Sequence, residues 1–145
     1  MNFTIRLFST IKSLLLPAIL AGSITLAFAD EKTDLGVAAA KTWLGLVDAK
    51  QYKESWVEAA PFFKDRITEI DWVKMISLAR GPFGELKSRE LKTAKYATSL
   101  PGAPDGEYVV IQFKTSFTNK ADAVETITPM KDDKEEWRVS GYFIK

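Results

Sequence analysis

One carboxylate, that of Glu125, lies in apolar sequence that would suit it to acid–base catalysis or ligand binding. Glu125 lies between Ala123 and Ile127 in strand-like sequence, so the three side chains point to the same face of a sheet. If that face lines an interior cavity, Glu125 would be a general base or a ligand anchor. If it does not, the charge would pair with a lysine or arginine on the next strand. The sequence leaves both interpretations open.

Two arginines are the candidate partners of this carboxylate. Arg80 and Arg89 flank the stretch GPFGELKS, and either would pair with Glu125 or bind an anionic ligand. Aromatic side chains would complete a ligand pocket, although aromatic residues at helical and strand spacing are usually core. The aromatic candidates for ligand contact are Tyr108, Trp137 and Tyr142.

The composition excludes several kinds of chemistry. The chain has 145 residues with no cysteine and no histidine, which rules out Ser-His-Asp and Cys-His catalysis. Thiolate and imidazole ligands for zinc are missing too. The run KDDKEE at residues 131–136 lacks the regular ligand spacing of a calcium loop and is predicted to be a solvated turn. We therefore predict no metal and no cofactor, and acid–base chemistry would need Asp, Glu, Lys or Tyr.

The N-terminus has the plan of a secretory signal peptide. Arg6 and Lys12 provide positive charge, residues 1–29 contain no acid, and an apolar stretch of 16 residues, SLLLPAILAGSITLAF, precedes the small residues around Ala29. This pattern predicts cleavage after Ala29 and a periplasmic or secreted domain at residues 30–145. The alternative is a retained membrane anchor, but a span needs about 20 apolar residues.

The net charge of the predicted mature chain indicates which kinds of partner to expect. Removal of residues 1–29 would leave 18 basic and 19 acidic residues, a net charge of −1. Such a chain has no basic excess that would draw it to nucleic acid or to an anionic membrane. We expect no nucleic acid partner and no stable membrane anchor after the signal is removed.

The first predicted helix is apolar on nearly every side. It covers residues 35–47, LGVAAAKTWLGLV, and such a helix is buried on more than one face. Gly36 and Gly45 are expected to allow close packing there. A second helix is predicted at residues 51–59, and a third begins after Thr68, whose spacing to Asp71 resembles a capping box. Gly81 and Pro82 end the third helix.

The second half of the chain alternates with the period of β-strands. Strands are predicted at residues 86–97, 107–117, 123–131 and 137–144, with TNKAD as a hairpin loop. The proline- and glycine-rich stretch PGAPDG leads into a strand and not into a helix, so it is interpreted as a turn and not as a phosphate loop. Gly141 within the last strand indicates a bulge or a close backbone approach.

Helices followed by strands predict an α+β fold, with three N-terminal helices packed on a curved antiparallel sheet of about four strands. This order matches the cone fold of the nuclear-transport-factor-2-like superfamily, and a small open barrel is the alternative. Three stretches resemble the bacterial domain-of-unknown-function family 4019 over about residues 35–145: ARGPFGELKSREL, TSLPGAPDGEYVVIQFKTSFTNKADAVETIT and WRVSGYFIK. The resemblance implies a small exported bacterial protein and supplies no catalytic residue.

Three functional hypotheses follow from these observations. The first is a non-enzymatic envelope domain that binds a small apolar ligand or a protein partner. The second is a cofactor-free enzyme of the lyase or isomerase kind that uses Glu125 in a cavity, which rests on analogy of fold. The third is a structural homodimer without a ligand. An open, polar-lined cavity would favour either of the first two, and a filled interior with an exposed apolar sheet face would favour the third.

Overall fold

A computed structural model describes the backbone of residues 22–145 and the side chains of residues 29–145. Within the described residues, four α-helices precede four β-strands, which confirms the α+β class. The helices are α1 Gly22–Asp48, α2 Tyr52–Val57, α3 Pro61–Lys64 and α4 Glu69–Arg80, and a 3-10 turn follows at Gly81–Phe83. The strands are β1 Leu86–Ala97, β2 Tyr108–Phe117, β3 Lys120–Lys131 and β4 Trp137–Ile144.

The helix count differs from the prediction by one. The connector after Pro61 contains the short helix α3, in which Pro61 occupies the first turn. Proline favours this position because its fixed φ suits a helix and its missing N–H has no partner there in any case. At α4, the Thr68 hydroxyl accepts a hydrogen bond from the Asp71 backbone N–H at 3.2 Å, as the capping-box spacing predicted.

The strands form one open antiparallel sheet in the order β1-β2-β3-β4. The predicted bounds of β1 and β4 are confirmed, and β2 begins one residue later than predicted. The TNKAD loop was predicted too long, because β3 begins at Lys120, which pairs with Phe117. The connection is therefore a tight two-residue turn, Thr118–Asn119.

Irregularities in the ladder bend the two edge strands. On β1 the register shifts between Leu86 and Ser88 and again between Leu91 and Thr93. On β4, Thr128 pairs with Gly141 while the next residue of β3 pairs with Val139, so Ser140 is the extra residue of a bulge. The bulge lies beside Gly141, as the glycine indicated.

Helix α1 packs across all four strands and provides much of the core. Ala40, Leu44 and Val47 of α1 are buried against the sheet. Gly36 approaches β2 so closely that a Cβ there would lie 2.5 Å from a methyl carbon of Val109. The expectation for Gly45 was wrong, because this glycine is exposed and has nothing within 4 Å of its missing side chain.

The predicted signal peptide falls largely outside the described residues, which begin at residue 22. Ala29 and Asp30, which border the predicted cleavage point, both lie within α1. Among the helices in the described part of the chain, none has the length and apolar character needed to cross a membrane.

Candidate functional site

Four charged side chains meet beneath the sheet and form what we call the buried charge cluster: Asp48, Arg80, Arg89 and Glu125. Asp48 is the last residue of α1 and Arg80 the last residue of α4, while Arg89 lies on β1 and Glu125 on β3. The two helix ends therefore meet the sheet at the cluster. Two acids and two bases make it electrically neutral.

Arg89 bridges the two carboxylates of the cluster. Its Nη1 and Nη2 donate to the two carboxylate oxygens of Asp48 at 2.7 and 3.0 Å. Its Nε donates to Oε1 of Glu125 at 2.8 Å. The planar guanidinium thus uses several of its donors at once, which the single ammonium group of a lysine would not reproduce.

Glu125 is fully buried, and both of its carboxylate oxygens accept hydrogen bonds. Oε1 accepts from Arg89 and also from the Thr115 hydroxyl at 2.6 Å. Oε2 accepts from the Tyr142 hydroxyl at 2.6 Å. Cross-strand neighbours thus supply the donors, because Thr115 lies on β2 and Tyr142 on β4.

Arg80 completes the cluster from the end of α4. Its Nη2 donates to Asp48 at 2.8 Å, and its Nη1 lies 3.7 Å from Oε2 of Glu125. Its guanidinium carbon lies 4.5 Å from the ring centre of Phe117, within cation–π range. Among the described residues, the buried Nε of Arg80 has no hydrogen-bond partner.

Burial and hydrogen bonding at the cluster shift the pKa values of Asp48 and Tyr142. Burial opposes ionisation of Asp48, but hydrogen bonds from Arg89 and Arg80 outweigh it and lower the pKa of that carboxyl. Burial, reinforced by the charge of Glu125, raises the pKa of Tyr142 far above its ordinary value. Tyr142 therefore stays a neutral hydrogen-bond donor to Glu125 throughout the physiological pH range.

The space beside the cluster is small. A cavity of about 60 Å³ is lined by residues that include Asp48, Lys50, Tyr52 and Arg80. This is room for about two water molecules and not for an organic substrate. With Glu125 fully buried and already accepting three hydrogen bonds, the arrangement is suited to charge pairing between helix ends and sheet.

A second feature lies on the outside of the molecule, between α1 and β4. We call it the Trp137 groove, and it consists of two hollows that share Trp137 as a wall. One has a volume of about 270 Å³ and lies along Ala39, Thr42 and Leu46 of α1. The other has a volume of about 360 Å³ and lies along Glu31, Lys32 and Leu35.

The α1 wall of the groove follows a single helical stripe. Glu31, Leu35, Ala39, Thr42 and Leu46 are spaced three or four residues apart, so they lie on one face of the helix. Leu35 remains 50 % exposed although it is a large apolar side chain. The stripe from residue 31 to residue 46 is about 22 Å long, at about 1.5 Å per residue.

The family model described as "Protein of unknown function (DUF4019)" matches residues 39–142. The chain belongs to this family. No curated protein and no solved structure matches the chain. Membership in DUF4019 confirms the resemblance inferred from the three sequence stretches, and the relation to the nuclear-transport-factor-2-like cone stays a prediction.

Within this DUF4019 chain, the structure brings together four of the six side chains proposed for ligand contact: Arg80, Arg89, Glu125 and Tyr142. Sequence reasoning missed Asp48 and Thr115 as their partners. The burial of Thr115 could have been found from the sequence, because the alternation of β2 places it on the same face as Phe113 and Phe117. Little in the sequence indicates the role of Asp48, which only follows the predicted first helix.

The other two proposed side chains lie elsewhere. Tyr108 is buried, and its hydroxyl donates to the Pro104 carbonyl at 2.5 Å, so it holds the proline- and glycine-rich turn against β2. Trp137 lies at the groove between α1 and β4 and does not line the cavity beside the cluster. The six residues therefore do not form one pocket.

The acidic turn after β3 is held by its own hydrogen bonds. Oδ1 of Asp132 accepts from the backbone N–H groups of Lys134 and Glu136, both at 2.9 Å. Oδ2 of Asp132 lies 3.1 Å from Nε of Arg138. In the described part of the chain, no group of three or more acidic, histidine or cysteine side chains could hold a metal ion.

Proposed function

We propose that this protein is an exported bacterial envelope domain that binds a partner or ligand on its outer surface, in the Trp137 groove, without catalysing a reaction. The observation that carries the proposal is the groove itself. It combines hollows of about 270 and 360 Å³ with a partly buried tryptophan and an exposed leucine. Concave apolar sites with a few polar groups are the usual form of binding sites.

The contacts of Glu125 support binding over catalysis. A general base must lie within hydrogen-bond reach of the proton that it removes from a substrate. Glu125 is fully buried, its two oxygens accept from Arg89, Thr115 and Tyr142, and the neighbouring cavity is only about 60 Å³. The enzyme hypothesis would require this network to open, whereas the binding hypothesis requires no rearrangement of the interior.

Export is the second part of the proposal and rests on the N-terminal sequence. The positive residues, the apolar stretch and the small residues before Asp30 have the order of a cleavable signal. The family resemblance, which implies small exported proteins, supports the same compartment. A binding domain without cysteine would fold there without any disulfide.

Native mass spectrometry of protein purified from its own envelope fraction tests the proposal. It reports the N-terminus, the number of copies and any retained ligand or partner in one measurement. The Trp137→Ala variant should lose the retained mass, whereas Phe143→Ala, which truncates a 61 % exposed aromatic on the same strand, should keep it. A site at the groove would be contradicted if both variants kept the retained ligand or partner, or if both lost it.

A further inference from the structure

The charges around the Trp137 groove indicate what kind of partner it accepts; this inference rests on the proposed function and specifies its ligand. Four carboxylates and three cations line the two hollows. Two more carboxylates form salt bridges with those cations. The six carboxylates are Glu31, Glu58, Glu107, Asp132, Glu135 and Glu136, and the three cations are Lys32, Lys131 and Arg138.

The rim is therefore mildly acidic: the residues that line the two hollows carry a net charge of −1, and Glu107 and Asp132 lie behind them. The lining carboxylates Glu58, Glu135 and Glu136 have side chains that are 54–78% exposed, whereas those of the three cations are 25–37% exposed. Each of its cations already faces carboxylates of the rim. Arg138 contacts Glu58 at 3.3 Å, Asp132 at 3.1 Å and Glu136 at 2.6 Å. Its single positive charge cannot neutralise three negative ones. The salt bridges at the opposite end of the groove are more evenly balanced, with two cations facing two carboxylates.

At that opposite end, Lys32 and Lys131 both contact the Glu107 carboxylate, and Lys131 also contacts Glu135. Hydrogen bonds from Lys32 and Tyr96 lower the pKa of Glu107 to about 2. The Glu107 carboxylate thus remains ionised well below neutral pH. The cations are used within the rim, so the charge that a ligand meets is negative.

The apolar part of the groove between these charges is elongated. Leu35, Ala39, Leu46 and Trp137 line it, and its length of about 22 Å corresponds to about four turns of helix. Addition of a strand to the β4 edge is blocked at Val139, whose carbonyl accepts a hydrogen bond from the Ala60 N–H at 2.8 Å. A helix laid along α1 needs no free strand edge.

We infer that the Trp137 groove binds a cationic amphipathic helix of a partner protein, with its apolar face on Trp137 and its Lys or Arg side chains at the acidic rim. Charge complementarity would set the choice of partner and the rate of association more than the total affinity. The indole ring of Trp137 would also offer its π-face to a cation of the bound helix.

Three synthetic peptides of 14 residues test this inference, each with leucine on one helical face and lysine, glutamine or glutamate on the other. Titration into the 15N-labelled full chain, followed by NMR, gives the affinity and the location together. We expect the lysine peptide to bind at least about tenfold more tightly than the glutamate peptide at low salt. We expect the difference to shrink at about 0.15 M salt, where screening shortens to about 8 Å.

Matched variants assign the effect to the rim. Glu136→Lys and Glu58→Lys should each weaken lysine-peptide binding several-fold, whereas Glu90→Lys, an exposed change on β1, should leave it unchanged. Urea unfolding of each variant shows that it is folded. Equal or tighter binding of the glutamine or glutamate peptide at the groove would overturn the inference and leave the proposed function standing. If no peptide shifts the groove resonances, the inference falls, and the mass retained by the wild type and by Trp137→Ala decides the proposed function separately.

Discussion

Arg89 joins Asp48 at the end of α1 to Glu125 in the middle of β3. One guanidinium spans the two carboxylates, with donor–acceptor distances of 2.7 to 3.0 Å. Asp48 also binds Arg80 from α4. Through Asp48, the Arg89 side chain therefore connects helices α1 and α4 to the sheet. Such a neutral network is stable only while every member is present, because the loss of one charge leaves another unpaired in the interior.

Glu125→Gln should therefore destabilise the fold. The glutamine oxygen would still accept from Thr115, but the NH2 group that replaces Oε2 cannot accept from the Tyr142 hydroxyl, and the cluster would be left with a net positive charge. Breaking a buried pair in this way costs about 3–5 kcal/mol. Urea unfolding measures the loss. The matched control is Glu90→Gln, whose exposed pair with Lys92 should be worth about 0–1 kcal/mol. A neutral or stabilising Glu125→Gln would instead point to a functional carboxylate.

The two glycines of α1 should respond to alanine in opposite directions. Gly36→Ala places a methyl group 2.5 Å from Val109, and overpacking of this kind costs about 1–3 kcal/mol. Gly45→Ala meets open space and should stabilise the helix by about 0.5–1 kcal/mol. Unfolding midpoints compare the two. Val109→Ala removes the methyl groups that the new side chain meets, so the loss in the double variant should be smaller than the sum of the losses in the two single variants. Additive losses would show that the clash is not the cause.

Glu107 should make stability depend on acid pH. Its pKa falls from an ordinary 4.5 to about 2 because of hydrogen bonds from Lys32 and Tyr96. A depressed carboxyl pKa stabilises the folded state above the unfolded pKa, and this contribution is lost as the pH falls through the folded pKa. The stability advantage of the wild type over Glu107→Gln should shrink between about pH 4.5 and pH 2. An advantage that is constant over this range would exclude the ion pair as its source.

Trp43→Ala tests whether α1 is core. Trp43 is only 3 % exposed, its Nε1 donates to the Ser55 carbonyl at 2.7 Å, and its ring packs against Trp72. Truncation of a buried large aromatic costs about 3–5 kcal/mol, measured as the loss in the free energy of unfolding in urea. A loss below about 1 kcal/mol would contradict the burial of α1 between the sheet and the other helices.

Export predicts a defined N-terminus. Protein recovered from the periplasm or medium should begin at Asp30 and remain in solution after ultracentrifugation. N-terminal sequencing and mass measurement check both points. Protein that begins at Met1 and sediments with membranes would support the retained anchor instead.

Local sequence signals were sufficient to predict most of the helices and strands. The bounds of β1 and β4 were predicted from strand-like sequence that follows a turn signal, Gly84 before β1 and the acidic turn before β4. The start of α4 follows from Thr68, because neighbouring residues set helix capping. The signals failed where two local rules competed. Proline can end a helix or begin one; Pro61 begins α3, and α2 has already ended at Val57. The β2–β3 turn needed only two residues of the five in TNKAD.

The roles of the charged residues were decided by tertiary structure. Alternation placed Glu125 on the same face of β3 as Ala123 and Ile127, and Arg80 and Arg89 were nominated because they flank GPFGELKS. No local pattern connects these residues to Asp48, which is 32 residues from Arg80 and 41 from Arg89. The groove was equally invisible, since its walls lie about 90–100 residues apart in the chain. Side-chain partners across such separations are set by how α1 lies on the sheet, and that depends on the packing of the whole core.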